Sequence, residues 1–141
     1  MDCSGMARNW RVAGEEPNPI GRSGVIEKAL DEFGKANGVS QFAATADLVE
    51  VQEIVPGNEV YFGEYSHIGL IIDVIKDTDG NPIAIEFMHS GSSTGPTIAT
   101  ANLDGSGYWG SRIKSFGKWD TLPDSDISNN NTLEREVKNQ Y

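Results

Sequence analysis

Between Ser66 and His89 the chain reads "SHIGLIIDVIKDTDGNPIAIEFMH", and this stretch constrains the fold more than any other. "SHIGLIIDVI" is a nearly continuous apolar run interrupted by Asp73, the pattern of a central strand covered on both faces. "KDTDGNP" is turn chemistry, with Asp79-Gly80 its strongest signal. "IAIEFMH" then alternates, so that Ile83, Ile85, Phe87 and His89 share one face. If the two strands pair as an antiparallel hairpin, the start of the first lies beside the end of the second. The chain's two histidines, His67 and His89, stand at those two ends. The hairpin therefore predicts two imidazoles together at one edge of a sheet.

The flanking sequence predicts helices before the sheet. "DCSGMARNWRV" reads as a short helix with Asp2 as N-cap, a stripe of Met6, Trp10 and Val12, and a stop at Gly14. "GEEPNPIGRSG" is a turn-rich connector. A second helix over about 24–35 carries Val25, Ile26, Ala29, Leu30 and Phe33 on one face. "SQFAATADLVEVQEIV" fits either a third helix or a helix leading into a strand. After Pro56-Gly57-Asn58, "EVYFG" is a short strand, and "YWGSRIKSFGKW" over 108–119 reads as a strand pair or a strand plus a turn. "SGSSTGP" is a loop, and the polar stretch 123–141 is a loosely attached tail. Helices first and an antiparallel sheet second give an α+β architecture, with one domain over 1–122.

Composition excludes several classes of function. With 141 residues the chain can bury a core without cross-links, and its single cysteine cannot close an intrachain disulfide. A formal charge of −10 repels phosphate backbones. Arg112, Lys114 and Lys118 are too small a basic group to form a nucleic-acid groove. No run reaches the roughly 20 apolar residues of a membrane helix, and the start lacks the basic and apolar regions of a signal peptide.

The chemistry-bearing residues are few. Cys3 begins the first predicted helix, where inert packing, an intermolecular bridge and a nucleophilic role are all open. A helix N-terminus and a nearby imidazole both favour a thiolate. His67 suits the dual role of general base and acid, and His89 is placed to fix its tautomer. The backbone N–H at the helix start suits an oxyanion. Residue by residue the inert readings are simpler: a terminal cysteine is commonly incidental, and a histidine ending an apolar strand is commonly a satisfied rim residue. One Cys and two His with no short-spaced pair make a poor metal site.

The motifs taken in order resemble a known family. "DCSGM" resembles the "DCSGF" signature of the NlpC-type cell-wall cysteine peptidases, a papain-like family. "VPGNEVYF" resembles that family's "PGDLVFF" strand, with Asn58 in place of Asp. "SHIGLIID" resembles its base-bearing "HVGIYIG" strand, "FMHSGSS" its "IHASS" strand end, and "YWGSRIKSF" its terminal "YW…RFVGA" strand. The five elements run from Asp2 to about Trp119.

The resemblance implies a small papain-like NlpC-type fold, with N-terminal helices packed on an antiparallel sheet of five or six strands. It implies Cys3 as nucleophile, His67 as base and His89 as the orienting residue. Asp2, Ser4 and Ser66 fall on the substrate-binding side, and no metal or other cofactor is implied. The implied partner is the peptidoglycan stem peptide, cut between γ-D-glutamate and a diamino acid, in the cell envelope or secreted. An amidase cutting between the lactyl group and the first alanine, as some secreted antibacterial effectors do, is the alternative within the enzymes. A catalytically inactive cell-wall binding domain is the alternative outside them. Family members carry a "GG" turn and a pocket tyrosine before the cysteine, and no such stretch precedes Met1, so that half of the pocket is expected to be missing or supplied otherwise.

Overall fold

The computed structural model describes residues 3–13, 18–90 and 95–118, with the backbone alone at 3, 4, 12 and 13. Asp2, the side chains of Cys3 and Ser4, and the predicted tail 123–141 lie outside the described residues.

Three helices precede the sheet: α1 (Cys3–Ala13), α2 (Val25–Phe33) and α3 (Gly38–Ala44). Strands β1 (Asp47–Val49), β2 (Glu59–Phe62), β3 (His67–Lys76), β4 (Pro82–Ser90), β5 (Pro96–Asn102) and β6 (Ile113–Lys118) follow, with a 3-10 turn at Val51–Glu53 and a short helix α4 (Gly107–Gly110). The six strands form one antiparallel sheet in the order β1-β6-β2-β3-β4-β5. The class is α+β.

Each element follows from local chemistry. In α2, Val25 and Ala29 are buried, and the Gly34 N–H closes the helix on the Leu30 carbonyl at 2.9 Å. Asn37 caps α3, its Oδ1 accepting from the Ser40 N–H at 2.7 Å. The stretch after α3 leads into the three-residue β1, so a helix followed by a strand is the observed arrangement there. The hairpin β3–β4 has the predicted sense, with Leu70 opposite Met88 and Ile71 opposite Phe87.

The sheet is covered on both faces where it matters for the site. On one face Ala7 of α1 and Val39 and Phe42 of α3 cluster with Tyr61 and Ile68. On the other, Val60, Phe62, Ile71, Ile85, Phe87, Ala101 and Phe116 close with Ile54, and Trp109 packs against them. That double cover explains the apolar start of β3. Beyond Ile71 the strand bulges and emerges, and Asp73, Ile75 and Lys76 are exposed. Ile83, on the same strand face as Ile85 and Phe87, lies on this emergent end of the hairpin and is 48% exposed.

Of the two readings of region 108–119, a strand pair or a strand plus a turn, the structure has the second, with the turn helical and placed before the strand. Tyr108 and Trp109 belong to α4, and β6 begins only at Ile113. The helical turn is pressed onto β5, where a Cβ on Gly110 would lie 2.5 Å from the Asn102 carbonyl oxygen. β5 itself lies in a region for which no strand is predicted from the sequence, and it extends the sheet beyond the hairpin.

α1 is joined to the sheet by a buried ion pair. Arg11 Nη2 donates to Glu59 Oε1 at 2.9 Å and Nε to Oε2 at 3.3 Å. Tyr61 O–H donates to Glu59 Oε1 at 2.6 Å, and Arg11 Nη1 donates to Thr45 Oγ1 at 3.1 Å.

Candidate active site

His67 is the first residue of β3, and the turn before it is held firmly. Tyr65 has a left-handed backbone, φ 61°, a conformation that a bulky residue keeps only when its surroundings hold it. Its ring packs on Phe33 with centroids 4.2 Å apart, and its hydroxyl lies 3.2 Å from Ser115 Oγ. His89 lies near the end of β4, and the hairpin register sets it diagonally across from His67 on the same face.

The two imidazoles meet. His67 Nε2 lies 3.0 Å from His89 Nδ1, and the rings stand edge to face at 5.0 Å and 78°. One proton serves that contact. When His67 donates it from Nε2, Nδ1 of His67 carries the lone pair that can take a proton from another group.

Aromatic rings surround the pair. Trp109 stacks on His67 at 5.4 Å and 22°, and meets His89 at 4.8 Å and 63°. Phe62 lies 5.9 Å from His67, and Phe87 lies 5.2 Å from His89. Burial, followed by the neighbouring His89, pushes the pKa of His67 down to about 4. Burial also lowers that of His89. Both rings are therefore neutral at pH 7, and burial weakens the affinity of His67 for a proton.

Gly69 makes this packing possible. A Cβ there would lie 2.7 Å from Phe87 Cδ2 and 3.2 Å from Val60 Cγ1, so only glycine lets Phe87 lie flat against β3 beneath the histidines.

α1 packs on the face of the sheet opposite the one that carries the histidine rings and Trp109, and it runs toward the same end of the sheet. Arg11 sits at Glu59, at the start of β2, and Ala7 clusters with Tyr61 and Ile68, further along it. The helix thus runs opposite to β2 and also packs on β3 and β4. Its first residue, Cys3, stands one turn before Ala7, about 6 Å along the axis, toward the end where β2 stops at Phe62 and β3 begins at His67.

Of the predicted catalytic residues the structure brings His67 and His89 together, and it starts α1 at Cys3, whose side chain lies outside the described residues. Of the predicted substrate contacts, Asp2 and the Ser4 side chain lie outside them as well. Ser66 is exposed, but it also closes the turn: its N–H donates to the Phe62 carbonyl at 3.1 Å, and its hydroxyl lies 3.5 Å from the same oxygen. Trp109, which covers the histidine pair, was not among the residues predicted for the site. Its signal is a tryptophan held between Gly107 and Gly110, a setting in which a large ring can be pressed onto a neighbour. Among the described residues no three His, Cys, Asp or Glu side chains are grouped to hold a metal ion, and no helix is long and apolar enough to cross a membrane.

In comparison with known proteins, no family model matches the chain and no curated protein matches it. The site is described by its own geometry: an imidazole with one nitrogen engaged by a second imidazole and one face covered by an indole, at the sheet end toward which α1 begins.

Proposed function

We propose that the protein is a cysteine hydrolase that cleaves an amide bond in peptidoglycan stem peptides, at the bond between γ-D-glutamate and a diamino acid. The observation that carries this reading is the 3.0 Å contact between His67 Nε2 and His89 Nδ1 at the end of the sheet toward which α1 begins. The choice of substrate rests on the resemblance of the five ordered motifs.

In this reading Nδ1 of His67 takes the proton of the Cys3 thiol, and the thiolate attacks the amide carbonyl carbon. The oxyanion of the tetrahedral intermediate is stabilised by N–H groups of the first turn of α1. Collapse breaks the C–N bond, and the imidazolium gives its proton to the leaving amine. Water, deprotonated by His67, then attacks the thioester and releases the acid and the thiol. His89 holds His67 in the tautomer that leaves Nδ1 unprotonated. A thiolate beside His67 would also oppose the effect of burial and raise its affinity for the proton.

The test is incubation of the protein with purified muropeptides and mass analysis of the products. A new diamino-acid amine is expected, and Cys3→Ala abolishes it. Equal release by Cys3→Ala overturns hydrolysis by this site. A free lactyl acid paired with an alanine amine would instead assign the amidase cut.

A further inference from the structure

Arg11 and Glu59 form an ion pair shut away from water, 1% and 0% exposed, and the hydrolytic steps make no direct use of it. Removing two charges from water costs several kcal/mol per ion, and an apolar pair of similar volume is often as stable or more so. What a buried pair adds is geometry. The apolar contacts of α1 through Ala7 with Phe42 and Ile68 are non-directional, and they resist sliding and rotation only weakly. A guanidinium set against both oxygens of a carboxylate has one orientation. Here that orientation is tied at both ends. Tyr61 holds Glu59 Oε1, Thr45 holds Arg11 Nη1, and the Phe42 ring lies 4.6 Å beneath the guanidinium carbon. Thr45 is in turn bound to the end of α3, its Oγ1 donating to the Phe42 carbonyl at 3.0 Å.

The lever is the helix itself. Arg11 stands eight residues beyond Cys3 in the same helix, about 12 Å along a rigid rod, and position 3 continues the four-residue spacing of positions 7 and 11. A rotation of about 25° about the axis moves a Cα at a radius of about 2.3 Å by about 1 Å. A misplacement of about 1 Å can cost on the order of a hundredfold in rate.

The geometry points to Arg11 and Glu59 as positioning residues: the pair fixes the rotation and axial register of α1 on the sheet, and so the placement of its first residue, Cys3, at the end of the sheet where β3 begins with His67. This rests on the reading of Cys3 as the nucleophile and His67 as its base.

The test uses the double variant Arg11→Met/Glu59→Met, because either single change strands a buried charge and destabilises the fold for that reason alone. The double variant is expected to fold with a melting temperature at or above that of the parent. Its kcat on muropeptides falls about tenfold or more while KM stays within about twofold. The midpoint of Cys3 alkylation by iodoacetamide rises by about one pH unit, toward the ordinary thiol value of about 8.5. Tyr61→Phe keeps the ring and removes one hydrogen bond to Glu59, and it should move the midpoint the same way by less. A folded double variant with the parental kcat and midpoint overturns the inference. If the double variant does not fold, a parental midpoint in Tyr61→Phe overturns it. If the parent cleaves no muropeptide, the alkylation midpoint still decides: a shift in the variant supports the positioning role while substrate cleavage falls, and no shift removes both.

Discussion

His67 and Trp109 lie nearly parallel, 22° between planes with centroids 5.4 Å apart, so the indole covers one face of the ring whose Nε2 meets His89. This contact keeps water off the histidine pair and contributes to the burial that lowers the affinity of His67 for protons. Trp109→Ala should therefore raise the pKa of His67 toward the ordinary value of about 6.5, measured by following the ring C–H signals in an NMR titration. It should also cost about 2–3 kcal/mol of stability, below the range for a fully buried tryptophan because Trp109 is half-buried. Trp109→Phe should keep most of both properties. An unchanged histidine titration in a folded Trp109→Ala protein would show that the indole does not control the base.

Protonation of His67 also opposes the fold. Its pKa is about 4 in the folded chain against the ordinary histidine value of 6.5, so between those pH values the unfolded state binds more protons. Stability from this group is complete above about 6.5, declines as the pH falls, and is lost near 4; His89 acts in the same direction. Urea unfolding at several pH values should show stability rising across that window. Because carboxylates titrate nearby, the difference between the parent and His67→Gln isolates the effect. The variant should have the flatter profile, and parallel profiles would contradict the depressed pKa.

How much of this was legible in the sequence depends on whether the signal was local. The β3–β4 hairpin could be read because apolar continuity, the Asp79-Gly80 turn and the alternation after Pro82 agree, and pairing alone then carries His67 to His89. The start of α1 and the end of α2 could be read from a polar residue before one stripe and a glycine after the other. β5 was not, because "PTIATAN" is an edge strand with both of its faces largely exposed and little apolar alternation. The strand pair and the strand plus turn could not be separated at 108–119 because Tyr108 and Trp109 have high β-propensity, and the packing of Gly110 on Asn102 that fixes the helical turn is a tertiary fact. The Arg11–Glu59 pair, 48 residues apart, leaves no mark on either local pattern. For the site this means that both histidines were visible, whereas the ring that covers them and the ion pair behind the helix were not.

His89→Ala separates orientation from proton transfer. Without the ring, His67 loses the partner of Nε2 and the tautomer with a free Nδ1 is no longer favoured. On the proposed hydrolase reading, the expected loss in kcat on muropeptides is about tenfold to a hundredfold with little change in KM, smaller than the roughly 10²–10⁴-fold loss expected for His67→Ala. Steady-state kinetics of the two variants side by side checks the order. If His89→Ala were the more damaging of the two, the roles of base and orienting residue would have to be exchanged.

Gly69→Ala tests the floor of the site without touching a polar group. The added methyl would lie 2.7 Å from Phe87 Cδ2 and 3.2 Å from Val60 Cγ1, closer than carbon atoms pack, so Phe87 must move. Phe87 is fully buried and its ring lies against Phe62, His89 and Trp109. Its displacement is therefore passed to the ring that holds His67. Overpacking of this kind costs about 1–3 kcal/mol, which urea denaturation can measure. The second consequence is specific to the site: a shifted Phe87 disturbs the 3.0 Å contact between the imidazoles, so both histidine titrations should change along with stability. Phe87→Leu in the Gly69→Ala background relieves the clash and should recover part of the stability, because the smaller side chain leaves room for the methyl. A Gly69→Ala protein with parental stability and parental histidine titrations would mean that β3 yields at this position and the aromatic floor does not constrain the pair.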